Sequence, residues 1–416
     1  MKKLILFILT LILSGCGAES SDPGAGEEAA EPYTAVLSPD RVERFKLFTE
    51  QMLVSGPYEP AAGAYIGAYI LSDRIVMGDI QAFEALTGIE HSFYTYFLKM
   101  GQPFPTEWIL DCIARMKTPN IVLTPRNIED PFNESLLRES AVRVGEIFVP
   151  IFVHLFPVSR SAAYDPEEYT AFFRTAREYF NRYASNAALV WSIDADSLHL
   201  MDRHYPGDDY VDWVGINIFV DSDMSLEDVR SRLDFFYFNF NERKPVFISQ
   251  LAISHFSSRN HAYHISGASH IMEELFKSFI NEYPRIRAIN YMSFNAIDPV
   301  NMRQGIYNFS VTDNELMTRV YRAALSDAHF LGRVDFGAGG DLAARRIRKP
   351  GAVLYHEGEF FVRAHIERDS GLLDYDRNAL VSVGPHEYRP LTAAAGREFR
   401  IHADFNLRTV ELRRVR

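Results

Sequence analysis

The sequence predicts a (β/α)8 TIM barrel, an α/β fold, followed by a small C-terminal mostly-β (α+β) domain. Three observations carry that prediction. Strand-like runs alternate with helix-period segments about eight times between residues 36 and 330. The runs are apolar almost throughout, as strands covered on both faces require. No Gly-rich phosphate loop follows any of them, which places a doubly wound sheet second.

Composition narrows the function. The chain has 416 residues, 47% hydrophobic and 13% aromatic, enough for a large core and more than one domain. Lys and Arg total 43 against 55 for Asp and Glu, a net charge of −12. Such a surface argues against nucleic acid or anionic lipid as the main partner and suits neutral ligands.

The N-terminus predicts a compartment. Met1-Lys2-Lys3 is basic, and Leu4 to Leu13 is an apolar run too short to span a bilayer. Leu13-Ser14-Gly15-Cys16 resembles a bacterial lipobox, which implies a signal peptide over 1–15 and lipidation of Cys16, palmitate included. An ordinary secretory signal with a chance cysteine is the alternative. The lipid chains would hold the protein on the outward face of a bacterial cell membrane. Cys112, in a helix-like stretch, is then left without a disulfide partner and reads as a small buried hydrophobe. Residues 16–35, rich in Gly, Ala, Ser, Glu and Pro, read as a flexible tether.

The barrel is expected over 36–330. Arg41 to Met52 has helical texture, and 63–70 reads as the first strand. Helix 79–87 closes on Gly88 as a C-cap, followed by strand 92–98, helix 107–116 and strand 120–123. Helix 134–146, strand 147–156 and a long helix 166–184 come next, the last opened by Asp165 as N-cap and Pro166 at its first position. Strands 188–193, 211–219, 246–250 and 288–294 complete the set, with helices at 225–239 and 269–282. Residues 331–350, with Phe336-Gly337-Ala338-Gly339-Gly340, read as a linker. Short strands in 351–416, with a small helix around Leu391–Ala395, describe the second domain.

Several segments resemble glycoside hydrolase family 26, the retaining clan of the β-mannanases. Tyr205-Pro206-Gly207-Asp208-Asp209-Tyr210-Val211-Asp212-Trp213-Val214-Gly215-Ile216-Asn217 is similar to its "yYPGDdYVDwVG" segment. The stretches Gly63–Ala68, Asn186–Ser192 and Tyr283–Ile289 resemble other strands of that family, in the expected order. The resemblance implies two carboxyl groups about 5–5.5 Å apart, a nucleophile and an acid/base. The nucleophile's strand, "kPi-isE-g-s", matches Lys244 to Ser254 with Gln250 at the Glu position. The acid/base turn, "R-x-x-x-E-M-N", falls near Pro150–Arg160, putting His154 for Arg and Val158 for Glu. The supporting Tyr falls on Phe219. The resemblance therefore implies a barrel without its chemistry, because an amide neither ionises nor transfers protons near neutral pH.

Other groups were candidates for a rebuilt site. Asp194 with Asp196 follows one strand, and Asp221 with Asp223 follows the next; loop acids and helix caps are the plainer reading. His199, His204, His255, His261, His264 and His270 show no metal-ligand spacing, so neither metal nor cofactor is expected. Ser249 lacks a nucleophile-elbow context. Tyr65, Phe93, Tyr94, Trp191, Phe219 and Tyr291 read mainly as core, with stacking on a sugar face open to those at strand ends. His154, Trp191, Asp194, Asp221, Gln250 and Tyr291 are thus the candidate ligand-binding residues.

Residues Glu359–Val362, Tyr388-Arg389-Pro390-Leu391 and Phe399–Leu412 resemble a stalk-type domain similar to the copper amine oxidase N-terminal domain, which carries no copper site. The expected function is an anchored lipoprotein whose inactive barrel binds a polysaccharide or envelope glycan. An O-glycosyl hydrolase with relocated carboxylates and a structural scaffold are the alternatives.

Overall fold

The computed structural model describes residues 43–126, 132–159, 164–257, 259–297 and 307–336, and the strands 344–356, 359–362, 380–384, 387–390, 399–404 and 409–414. The expected signal peptide, Cys16, the tether and the helix around Leu391–Ala395 lie outside the described residues.

A strand β1 (Glu43–Val54) precedes eight parallel strands: β2 (Ala64–Tyr69), β3 (Phe93–Lys99), β4 (Thr118–Thr124), β5 (Ile151–Leu155), β6 (Ala187–Asp194), β7 (Trp213–Val220), β8 (Val246–Ile253) and β9 (Ile286–Met292). They pair in chain order, and β2 pairs with β9 to close the barrel. Helices α1 (Ile80–Thr87), α2 (Thr106–Ala114), α3 (Glu134–Gly145), α4 (Pro166–Tyr183), α5 (Met201–His204), α6 (Leu226–Phe240), α7 (Ile265–Asn281) and α8 (Glu315–Ala324) alternate with them. This is the predicted (β/α)8 architecture.

Local chemistry explains the helix ends. Asp165 accepts from the Glu167 and Glu168 amides, and Pro166 opens α4 without an N–H to satisfy. Ser225 and Asp228 form a reciprocal capping box on α6. Gly88 ends α1 at φ 70°, a left-handed conformation that glycine adopts without Cβ strain.

Some elements differ from expectation. The segment expected to be helical at Arg41–Met52 is strand β1, paired over its whole length with β11 (Ala344–His356). Strand pairing overrides a helix-compatible composition there. Strand β5 starts only at Ile151, β8 runs on to Ile253, α7 begins at Ile265, and α8 was not foreseen.

Alternation along each strand splits the core in two. Leu189, Trp191 and Ile193 of β6, with Val214, Ile216 and Ile218 of β7, join the large cluster between barrel and helices. Tyr65, Phe93, Phe152, Val190, Trp213 and Phe247 fill the lower interior of the barrel. Below them, at the N-terminal ends of the strands, Glu59 takes Arg285 Nε at 2.7 Å and also lies 3.5 Å from Arg287.

The part of the Tyr205–Asn217 segment before β7, Tyr205 to Asp212, belongs to this lower face. Asp208 accepts from the Tyr205 hydroxyl at 2.6 Å and from Arg243 at 2.7 and 2.9 Å. Asp212 takes Arg177 at 2.6 Å and the Leu189 amide at 2.9 Å. Gly207, immediately before Asp208, sits at φ 109°. These acids lead into β7 at the end of the barrel away from its mouth, so their work is structural.

Past the barrel, β10 (Phe330–Leu331) pairs with β2, and β11 is followed by β12 (Glu359–Val362), β13 (Leu380–Gly384), β14 (Glu387–Pro390), β15 (Phe399–Asp404) and β16 (Thr409–Arg414). With β1, strands β11 to β16 form a sheet in the order β12-β11-β1-β16-β15-β14-β13.

Candidate ligand site at the barrel mouth

Barrel enzymes place their chemistry at the C-terminal ends of the strands. Three inward-facing polar residues stand there on three neighbouring strands. Asp194 of β6 is in register with Asn217 of β7, and Asn217 with Gln250 of β8. At about 4.8 Å between strands, the three backbones span about 10 Å.

A β-bulge sets Gln250 in this row. Between Ile216 and Asn217 the partner on β8 jumps from Ile248 to Gln250. Against β9, Ile248 and Leu251 face Ile289 and Tyr291, so β8 carries one extra residue on both sides. Ile248 and Leu251 both point to the helices, leaving Ser249 and Gln250 together on the inner side. Gln250 is mostly buried.

Asp194 is the one ionisable member. Asn217 Nδ2 donates to its Oδ1 at 2.8 Å. Burial raises the carboxyl to about 6 and Asp196 adds to the rise, while the Asn217 hydrogen bond opposes it. Asp196 itself is exposed and paired with Arg232. Asp221, one residue beyond β7, lies four residues past Asn217, about 13 Å along the strand direction. It is not level with Asp194.

Val158 is wholly buried. Its N–H donates to Ser192 O at 2.8 Å and its carbonyl accepts from the Asp194 amide at 2.8 Å, binding the loop after β5 to β6. The preceding Phe156 holds φ at 43°, a strained value for a bulky residue at a strand end. His154 points into the barrel against Phe247, with ring centroids 4.9 Å apart, and burial lowers it to about 3, so it is neutral.

Two expected contact residues are placed elsewhere. Trp191 faces outward and is completely buried against Tyr205, Phe236 and Phe240. Tyr291 also faces outward, packing on Tyr321 at 5.1 Å. Strand alternation puts both on the helix side, so neither reaches a ligand in the mouth.

Aromatics that sequence reasoning passed over line the opposite wall. Tyr69 and Phe97, inward-facing at the ends of β2 and β3, meet edge to face at 5.1 Å. Phe294 contacts Tyr69 at 6.2 Å and Phe309 at 5.2 Å, and Tyr307 stacks on Phe309 at 5.5 Å. Phe219 reaches this cluster through Phe309 at 6.2 Å and is 39% exposed. The signal was period two: Tyr69, Phe97 and Phe219 share the phase of the inward residues below them.

The loops carrying this wall are tied by Asp73. Its carboxylate accepts from Ser293 Oγ at 2.7 Å, Thr312 Oγ1 at 2.7 Å and the Ile75 amide at 2.9 Å. His255 Nε2 lies 3.6 Å from Asp313, which also accepts from Asn295 and Asn308. Among the described residues no group of three His, Cys, Asp or Glu side chains could hold a metal.

A sequence model of the family described as Glycosyl hydrolase family 26 matches residues 158–252, a span that contains Asp194, Asn217 and Gln250. No curated protein matches the chain. Similar solved structures include the GH26 β-mannanase BoMan26A from Bacteroides ovatus, at 12% identity and TM-score 0.47, covering 65% of this chain and 90% of that one. GH26C from a Muricauda species aligns at 15% identity and TM-score 0.49, over 65% of this chain and 87% of that one. The catalytic domain of a Bacillus sp. GH26 endo-β-1,4-mannanase aligns at 13% and 0.48, over 67% and 89%.

Proposed function

We propose that the protein is a glycan-binding, family 26-like barrel that does not cleave its ligand by the retaining route. The observation that carries this is Gln250: the bulge on β8 delivers to the mouth an amide where the resemblance requires a carboxylate. Val158, matched to the acid/base, is sealed against β6 and presents no group to a ligand. Phe219 takes the place of the supporting tyrosine and offers a ring face instead.

An aromatic wall facing a row of amide and carboxyl groups suits a neutral sugar. Its apolar face stacks and its hydroxyls meet polar groups. The family match over 158–252 supports a polysaccharide as the ligand class. Lipidation at Cys16 would present this site outside the cell membrane, and the C-terminal sheet would serve as a stalk or contact surface.

Affinity electrophoresis on mannan and mixed-linkage glucan tests the reading. Retardation of the wild type, lost in Phe219→Ala, with no reducing ends released at high protein concentration, is expected. One observation favours a second reading, hydrolysis through a relocated acid: Asp194 keeps a proton to about pH 6. Reducing-end release that vanishes in Asp194→Asn would replace the first reading with the second.

A further inference from the structure

Below the mouth the barrel interior is polar. Each strand contributes one inward side chain or glycine to this level: Gly67, Thr95, Asn120, His154, Ser192, Gly215, Ser249 and Asn290. One arc is internally satisfied. Thr95 Oγ1 donates to Asn290 Oδ1 at 2.8 Å, Asn120 Nδ2 to Thr95 Oγ1 at 2.9 Å, and Asn290 Nδ2 to the Ser249 carbonyl at 3.0 Å.

The other arc is not. Asn120 Oδ1, both ring nitrogens of His154, Ser192 Oγ, Ser249 Oγ and Asn217 Oδ1 are buried without a hydrogen-bond partner. All five residues are at most 2% exposed. They lie on the consecutive strands β4 to β8, so the unpaired atoms face one region rather than being scattered. Gly215 draws part of that region together: a Cβ there would lie 2.1 Å from Ser249 Oγ and 3.0 Å from Ser192 Cβ.

Leaving one such group unpaired costs roughly 1–3 kcal/mol, so a native fold does not leave six together. The groups are neutral and mixed: amide oxygens accept, hydroxyls do either, and a neutral imidazole offers one donor and one acceptor. Their partner must be uncharged and both donate and accept within a small space. Water meets that description.

We propose that this arc binds a chain of ordered internal water running from His154, past Ser192 and Ser249, to Asn217 beneath the Asp194–Gln250 row. The floor of the mouth is then solvent held by the barrel, and a ligand hydroxyl can exchange for its uppermost molecule. This does not depend on which ligand the mouth takes, or on whether it takes one.

A crystal structure of the ligand-free wild-type protein, at a resolution that shows solvent, tests it directly. Solvent peaks at hydrogen-bond distance from Ser192 Oγ, Ser249 Oγ and His154 are expected. In a thermal melt Ser249→Ala should lose about 2 °C, because the variant gives up a bond to held water. A dry interior predicts the opposite sign, since the substitution would remove an unpaired buried hydroxyl. Empty density in the wild type, or a Ser249→Ala melting temperature that stays level or rises, overturns the proposal.

Discussion

Asn217 donates to Asp194 across the β6–β7 pair at 2.8 Å, yet the carboxyl remains above its ordinary range. Burial penalises the ionised form by more than one amide contact restores.

This has a sign. A carboxyl raised on folding binds its proton more tightly in the native state, so its contribution favours folding at low pH and is lost as pH rises from about 4 to about 6. Asp194→Asn should remove that slope. In melts from pH 4 to 8 the variant should match the wild type at the acidic end and exceed it above pH 6. Parallel curves across the range would show that Asp194 is not desolvated.

Gln250→Glu separates the nucleophile from the acid. An aryl glycoside with an activated leaving group needs no proton donor, so this variant should turn it over slowly while the wild type does not. A natural glycan should remain uncut, because the missing acid/base costs about 10²–10⁴-fold. Adding Val158→Glu is expected to destabilise the fold by several kcal/mol, since that side chain is wholly buried and a carboxylate there has no partner. Steady-state rates and melting temperatures check both expectations.

Phe219 and Trp191 make opposite forecasts. Phe219→Ala should weaken glycan retention about tenfold, equivalent to about 1.4 kcal/mol for one lost stacking face, and leave the melting temperature nearly unchanged. Trp191→Ala should cost about 3–5 kcal/mol of stability through the cavity left among Tyr205, Phe236 and Phe240. Affinity gels and denaturant titrations distinguish the two.

Glu59→Ala should destabilise the barrel by about 3–5 kcal/mol, because it leaves Arg285 and Arg287 buried without their shared carboxylate. Urea unfolding of the variant measures this. A loss below 1 kcal/mol would mean that water reaches the pair.

The barrel was legible because its strands read as short, mostly apolar runs and its helices carry local end signals such as Asp165-Pro166 and Gly88. Gln250 stood out as an amide within an apolar run. Trp191 and Tyr291 follow the core reading of their strands: each shares the outward phase of its apolar neighbours, Leu189 and Ile193 or Ile289. The bulge at Ser249–Gln250 was hidden, since an extra residue on one strand is defined only against its partners. Strand β1 was hidden for the same reason, its partners lying far along the chain.

That last pairing has a consequence for biosynthesis. Strand β1 is an interior member of the seven-stranded sheet, yet roughly 290 residues separate it from β11. On the ribosome it would emerge first and wait, edges unsatisfied, until the last strands follow. A fragment beginning after Val54 would lose the strand that joins β11 to β16. Whatever is attached upstream of Glu43 pulls first on that sheet, and the barrel hangs from it like an insertion between its strands.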